Sequence, residues 1–128
     1  MRAGETVLMP VPGVAVPHLW ILVTEPSQDT NLGVFVSVTS LRGGKDQTVI
    51  LRRGDHPYIT KDSVVYFGDA RLWDTTLIDA DLASGAIQGL EACSAGLLRL
   101  LQSGILNSPY TPNSILRLCR SMFGVRAK

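Results

Sequence analysis

No compact signature of nucleotide binding, zinc proteolysis or serine hydrolysis is present in this chain. There is no GxGxxG, no Walker loop, no HExxH and no nucleophile elbow around any serine. Each of those chemistries needs its glycine cradle, its helical histidine pair or its sharp strand-to-helix turn, so a nucleotide-binding fold or a hydrolase triad has nothing to rest on. Cysteine is scarce. Cys93 and Cys119 stand alone, without a CxxC or a neighbouring histidine pair, and this leaves no ligand set for a metal. Both lie in apolar, helix-like surroundings, where a thiol acts as a small buried hydrophobe. Neither a metal nor a cofactor is expected. Long apolar runs are also missing, and the first residues carry no charged-then-apolar leader pattern. The expectation is a cytoplasmic protein with no membrane partner. Internal repeats and low-complexity tracts are absent. Aromatic residues make up only 6% of the chain, so core packing has first claim on them.

What is present is one domain's worth of sequence: 128 residues, 45% apolar and 18% charged, enough for a sizeable core. A net charge of +1 hides an uneven distribution. No acidic residue follows Glu91, while Arg99, Arg117, Arg120, Arg126 and Lys128 do. The interval 42–61 sets Arg42, Lys45, Arg52, Arg53 and Lys61 against Asp46 and Asp55. Such asymmetry points to an anionic partner, nucleic acid first. A solvated basic tail on a neutral domain is the competing account.

Short strands dominate the first part. Glu5–Met9 reads as a strand closed by Pro10 and Pro12, and the proline-rich segment to Pro17 as an ordered loop. His18–Thr24 is nearly all apolar, as for a strand buried on both faces. Turn formers at 25–31 precede a third strand, Leu32–Leu41. Gly43-Gly44-Lys45-Asp46 reads as a turn joining it to a fourth, Thr48–Leu51, in a hairpin. Ser63–Phe67 resumes after Gly54-Asp55-His56-Pro57, Gly68-Asp69 breaks or bulges it, and 70–73 continues. From about Asp79 the period changes. Leu82, Ala83, Ala86 and Ile87 make a weak helical turn, and a clearer helix starts near Ser94 with Gly104 as its stop. Thr111-Pro112 opens a last helix, Thr111 as N-cap, with Ile115, Leu118, Cys119 and Met122 in one stripe and Arg117 and Arg120 largely off it. The spacing predicts a mainly β, α+β chain: an antiparallel β-barrel over 4–78 followed by two or three helices in 79–128, packed as one compact domain.

The interval 38–73 gathers most of the side chains able to do chemistry. His56 beside Asp55 invites acid–base work, since imidazole titrates near neutral pH and a carboxylate can orient it. The alternative is a Gly-Asp-His-Pro turn in which Asp55 bonds local backbone amides. His18 either faces a ligand at the barrel rim or packs beneath the proline loop. Arg52-Arg53 at a strand end either hold an anion or protect an edge. Thr39-Ser40 offer hydroxyls. Tyr58, Tyr66 and Trp73 sit near the expected rim, where rings can stack on bases.

The order of these parts resembles the PemK/MazF/Kid toxins. Gly4-Glu5-Thr6-Val7-Leu8, Pro17-His18-Leu19-Trp20-Ile21-Leu22-Val23, Val36-Ser37-Val38-Thr39-Ser40 and Ser63–Arg71 follow that family's opening strand, its Arg-Pro-led second strand, its Pro-Val-Thr-Ser third strand and its Ser-Val-x-x-x-Asp-Gln-x-Arg strand. The resemblance spans roughly residues 4–75. It implies an SH3-like barrel, frequently dimeric, that cleaves single-stranded RNA without a metal and is restrained by an antitoxin. Thr39-Ser40 match the family's position. Pro17-His18 stand where the family has Arg-Pro, and Asp69 is displaced by one residue from the family's late-strand Arg-x-Asp, where this chain has Tyr66-Phe67-Gly68.

Two function classes follow. In the first the protein is an endoribonuclease: His56 or Asp55 is base or acid, Arg53 and His18 bind phosphate, Thr39 lends its hydroxyl, and Arg42, Lys45 and Arg52 add nucleic-acid contacts. In the second it is a non-catalytic barrel that binds a partner protein or nucleic acid through Arg117 and Arg120. A pocket uniting His18, Arg53 and His56 favours the first. Those three pointing apart, with Arg99, Arg117 and Arg120 in one patch, favours the second.

Overall fold

The computed structural model describes residues 1–10, 13 and 16–124. Arg126 and Lys128 of the basic tail, and 11, 12, 14 and 15 of the proline-rich loop, lie outside the described residues. Six strands, β1 (Thr6–Met9), β2 (His18–Leu22), β3 (Leu32–Ser40), β4 (Ile50–Leu51), β5 (Ser63–Asp74) and β6 (Gln88–Leu90), form one antiparallel sheet in the order β4-β5-β3-β2-β1-β6. Helix α1 (Thr75–Ser84) lies between β5 and β6, and α2 (Ala95–Asn107) and α3 (Asn113–Met122) follow. The sheet curls into a half-barrel.

Strands β2 and β3 occupy the middle and are buried on both faces. Leu19, Ile21, Val34, Val36 and Val38 point into the larger core, where Leu97, Leu101 and Ile105 of α2 and Ile115 and Cys119 of α3 cover them. Trp20, Leu22 and Phe35 point the other way, into a smaller core with Val7 and with Ile78 of α1. Trp73 completes it, its ring centroid 4.6 Å from Trp20 and 5.2 Å from Phe35. Trp73 is therefore a packing residue. Each of these aliphatic side chains contributes roughly 1.5–3 kcal/mol on burial, far above the propensity differences that shape the loops.

The curl has a local cause. Phe35 pairs with Arg71 and Ser37 with Tyr66, so Val36 alone faces the four residues Phe67–Ala70. Extra residues on one strand bend it and increase its twist. The interruption expected at Gly68-Asp69 is this bulge.

Other expectations are corrected. β3 and β4 make no hairpin; β5 lies between them and pairs with both, because nine-residue β3 finds its long antiparallel partner in twelve-residue β5 while β4 is only two residues long. Helix α1 starts at Thr75, since Asp74 accepts the Thr76 N–H at 2.9 Å, and ends at Gly85 with φ of 80°. Gln88–Leu90, next to the weak helical turn, are a strand on β1. Ser94 caps α2 as expected, accepting from Leu97 N–H. Thr111 does not cap α3; its hydroxyl donates to Ile105 O at 2.8 Å and secures the end of α2 instead. Gly104 is not a stop but a close-packing point inside α2: a Cβ there would lie 2.5 Å from Val49 Cγ2 and 2.7 Å from Phe67 Cζ. No helix among the described residues is long and apolar enough to cross a membrane.

These contacts separate two glycines of one helix. Gly104→Ala should lower stability by about 1–3 kcal/mol through overpacking. Gly96→Ala, where nothing lies within 4 Å, should raise it by about 0.5–1 kcal/mol by helix propensity. Urea denaturation of the two variants measures both signs.

Candidate functional site

The open part of the sheet lies beyond the smaller core. Trp20 faces Ser37 and Ser37 faces Tyr66, so His18, two residues before Trp20, and Thr39, two residues after Ser37, share that face with them. Val64 is paired with Thr39. Two adjoining cavities meet here. One, of about 340 Å³, is lined by His18, Thr39, Gly44, Lys45, Asp46, Val64, Val65, Tyr66 and Tyr110. The other, of about 700 Å³, is lined by residues 16–19, 38–40 and 57–61 with Arg42, Lys45 and Ser63. His18, Thr39 and Lys45 belong to both, and together the cavities make one groove across the ends of β2, β3 and β5.

The loop after β3 brings the charge. Lys45 Nζ donates to Thr39 Oγ1 and to Ser40 O, each at 2.9 Å. Both acceptors are neutral, and no carboxylate pairs with Lys45 among the described residues. Burial, and then the neighbouring Arg42, hold the ammonium below its ordinary value of 10.5. The larger cavity carries Arg42, Lys45 and Lys61 and no acidic lining residue. Such a surface favours an anion, and the ammonium keeps a free N–H to offer it.

Asp46 is adjacent but otherwise engaged. It accepts from Thr48 N–H at 2.9 Å, from the Thr48 hydroxyl, and from the Ser108 hydroxyl. Burial pushes its carboxyl up, but the Ser108 and Thr48 hydrogen bonds outweigh this and hold it below 3.8. Ser108 Oγ in turn accepts from Tyr110 N–H at 3.1 Å. The basic loop and the turn between α2 and α3 are thereby tied together.

The remaining predicted residues lie elsewhere. His56 is buried, 2% exposed. Its Nε2 meets Glu91 O at 2.6 Å and its Nδ1 accepts from Tyr58 N–H at 3.0 Å, a pattern that fits the neutral Nε2–H tautomer. The Thr6 hydroxyl donates to the same Glu91 carbonyl at 2.9 Å. His56 thus ties its turn to the segment between β6 and α2. Asp55 accepts from Arg52 N–H at 2.7 Å, within its own turn. Arg52 is ion-paired with Asp62, both exposed, a pair of little energetic weight. Arg53 is exposed and lies outside the groove lining. His18, Arg53 and His56 are therefore not brought together. Arg117 is exposed and Arg120 half-buried, three residues apart on α3. Tyr58 donates its hydroxyl to Pro17 O at 3.0 Å, fixing the groove's end.

Asp46 and Tyr110 are groove residues that the sequence did not single out for the site. Their link runs through Ser108, 62 positions from Asp46, and no local pattern signals it. Among the described residues no three His, Cys, Asp or Glu side chains gather to hold a metal ion.

Two outcomes follow. His56→Ala should cost about 2–3 kcal/mol, because it leaves the Tyr58 N–H unpaired and a void behind it, whereas His18→Ala should cost less than about 1 kcal/mol; chemical denaturation distinguishes them. Asp46 has a depressed folded-state value, so its contribution is present above pH 3.8 and lost as pH falls through and below it. The stability gap between wild type and Asp46→Asn should be full at pH 6 and shrink in acid, measured by thermal unfolding across that range.

Comparison of the chain with protein-family models, with curated proteins and with solved structures finds no match. The functional reading therefore rests on the groove and on the residues that form it.

Proposed function

We propose that the protein acts on single-stranded RNA in the manner of the PemK/MazF/Kid toxins its sequence resembles, as a metal-independent endoribonuclease working in this groove. The single observation that carries the reading is that His18, Thr39 and Lys45, the last without a carboxylate partner among the described residues, line one groove. In this reading the half-barrel corresponds to the family's SH3-like barrel. On that correspondence Thr39-Ser40 would match the family's third strand, and His18 would stand in for the arginine of its second.

The chemistry needs a base, an acid and a cation. His18 takes the proton of a ribose 2′-hydroxyl. The 2′-oxygen then bonds to the adjacent phosphorus as the bond from phosphorus to the 5′-oxygen breaks, giving a 2′,3′-cyclic phosphate. The leaving 5′-oxygen takes a proton from the Lys45 ammonium, whose lowered pKa makes it a better acid than an ordinary lysine. Before that transfer Lys45, with Arg42, offsets the phosphate charge. Thr39, held by Lys45, supports the ammonium's position. In this reading the protein works in the cytoplasm, and an acidic antitoxin segment or a second copy of the chain covers the groove when it is idle.

A second reading is favoured by the engagement of both His56 ring nitrogens, which leaves His18 as the groove's only imidazole. It is a groove that holds RNA, or a partner protein, without cutting it.

Purified protein incubated with a long single-stranded RNA, with and without EDTA, should cut it equally well. The products should carry 5′-hydroxyl ends, and His18→Ala should slow cutting by about 10²–10⁴-fold. Lys45→Ala should also weaken binding and reduce its salt slope by about one. Binding without cutting would select the second reading, and neither would reject RNA as the ligand.

A further inference from the structure

Tyr66 and Tyr110 are 50% and 60% exposed, and both line the cavity of about 340 Å³ that holds Lys45. The chain otherwise keeps its large rings in. Trp20, Phe35 and Phe67 are buried, and Tyr58 spends its hydroxyl on Pro17. The backbone between the two rings is bare. A Cβ at Gly68 would lie 3.1 Å from the Tyr66 ring and 3.5 Å from Tyr110 Cβ. The bulge at Phe67–Ala70 places Gly68 there, and its missing side chain leaves room between Tyr66 and the backbone of Tyr110.

Both backbones are also held in place. Tyr66 is fixed by its pairing with Ser37 on β3. Tyr110 is fixed through Ser108 to Asp46, the residue next to Lys45. Two exposed aromatic rings lining one cavity with Lys45 combine the two elements that bind unpaired nucleotides: a ring face for the base and a positive charge for its phosphate. A duplex cannot use it, because its bases already stack on each other.

We propose that Tyr66 and Tyr110 form a nucleobase subsite, taking an unpaired base of the strand whose phosphate lies at Lys45. This inference rests on the RNA reading above and adds to it the part of the nucleotide that the groove recognises. Stacking of this kind tolerates every base, so the subsite selects for single-strandedness and not for sequence.

The test is fluorescence anisotropy with two labelled 2′-O-methyl oligonucleotides of equal length, which cannot be cut. One carries all its bases and the other is abasic with the same phosphates. Circular dichroism checks that each variant folds, as substitutions at exposed rings permit. Tyr66→Ala and Tyr110→Ala should each weaken binding of the base-bearing oligonucleotide roughly 5- to 150-fold. Tyr66→Phe and Tyr110→Phe should bind it like wild type, and all four should bind the abasic strand like wild type. Lys45→Ala should weaken both strands. Full affinity of the alanine variants for the base-bearing strand, with Lys45→Ala still weakened, would overturn the subsite and leave the RNA reading standing. Equal weakening on both strands would likewise overturn base stacking. Failure of the wild-type protein to bind either oligonucleotide would overturn the RNA reading and the subsite together.

Discussion

One residue of β3 against four of β5 is the mismatch on which the shape of this protein depends. Val36 keeps its place in the larger core while Phe67–Ala70 bow outward opposite it. Without that excess the longest strand pair would keep only the ordinary twist of a sheet and lose its sharpest bend toward α2 and α3. The bulge has a second effect at the same point: Tyr66 pairs with Ser37 immediately before it, and glycine follows at 68. The bend that closes the core thus also sets the wall of the groove.

The groove owes its character to unequal pairing of charge. Asp46 and Lys45 are neighbours in sequence, yet the carboxylate is taken by Thr48 and Ser108 while the ammonium is given only neutral oxygens. A direct ion pair would have cancelled both. As built, the acid serves the frame and the base faces the open cavity. His56 shows the reverse allocation, a titratable ring in a buried position whose two nitrogens both serve the frame.

Much of this was legible in the sequence, where the signal was local. The nearly unbroken apolar run of β2 announced burial on both faces, the β-branched residues of β3 announced a strand, Ser94 announced the start of α2, and Gly68-Asp69 announced the bulge. His18, Thr39, Lys45 and Tyr66 stood out as groove candidates on residue type alone. The failures share a physical cause. Gln88-Gly89-Leu90 has no alternation, and becomes a strand only because β1 offers it an edge. Gly104 looks like a terminator until Val49 and Phe67 come against it. The Asp55–His56 neighbourhood suggested a catalytic pair, but a buried imidazole takes whatever partners the fold delivers, here Glu91, 35 positions away. Tyr110 joined the site through the same kind of distant contact.

The pairing of β6 with β1 has a consequence for the making of the chain. Thr6, Val7 and Leu8 are synthesised well before the strand that covers their outer edge, Gln88–Leu90, and the Thr6 hydroxyl finds its acceptor at Glu91. Until some eighty further residues have been added, a nascent chain carries an uncovered edge of apolar-rich strand, the kind of surface on which chains join one another. The last strand of the sheet is thus a closing seal on that edge.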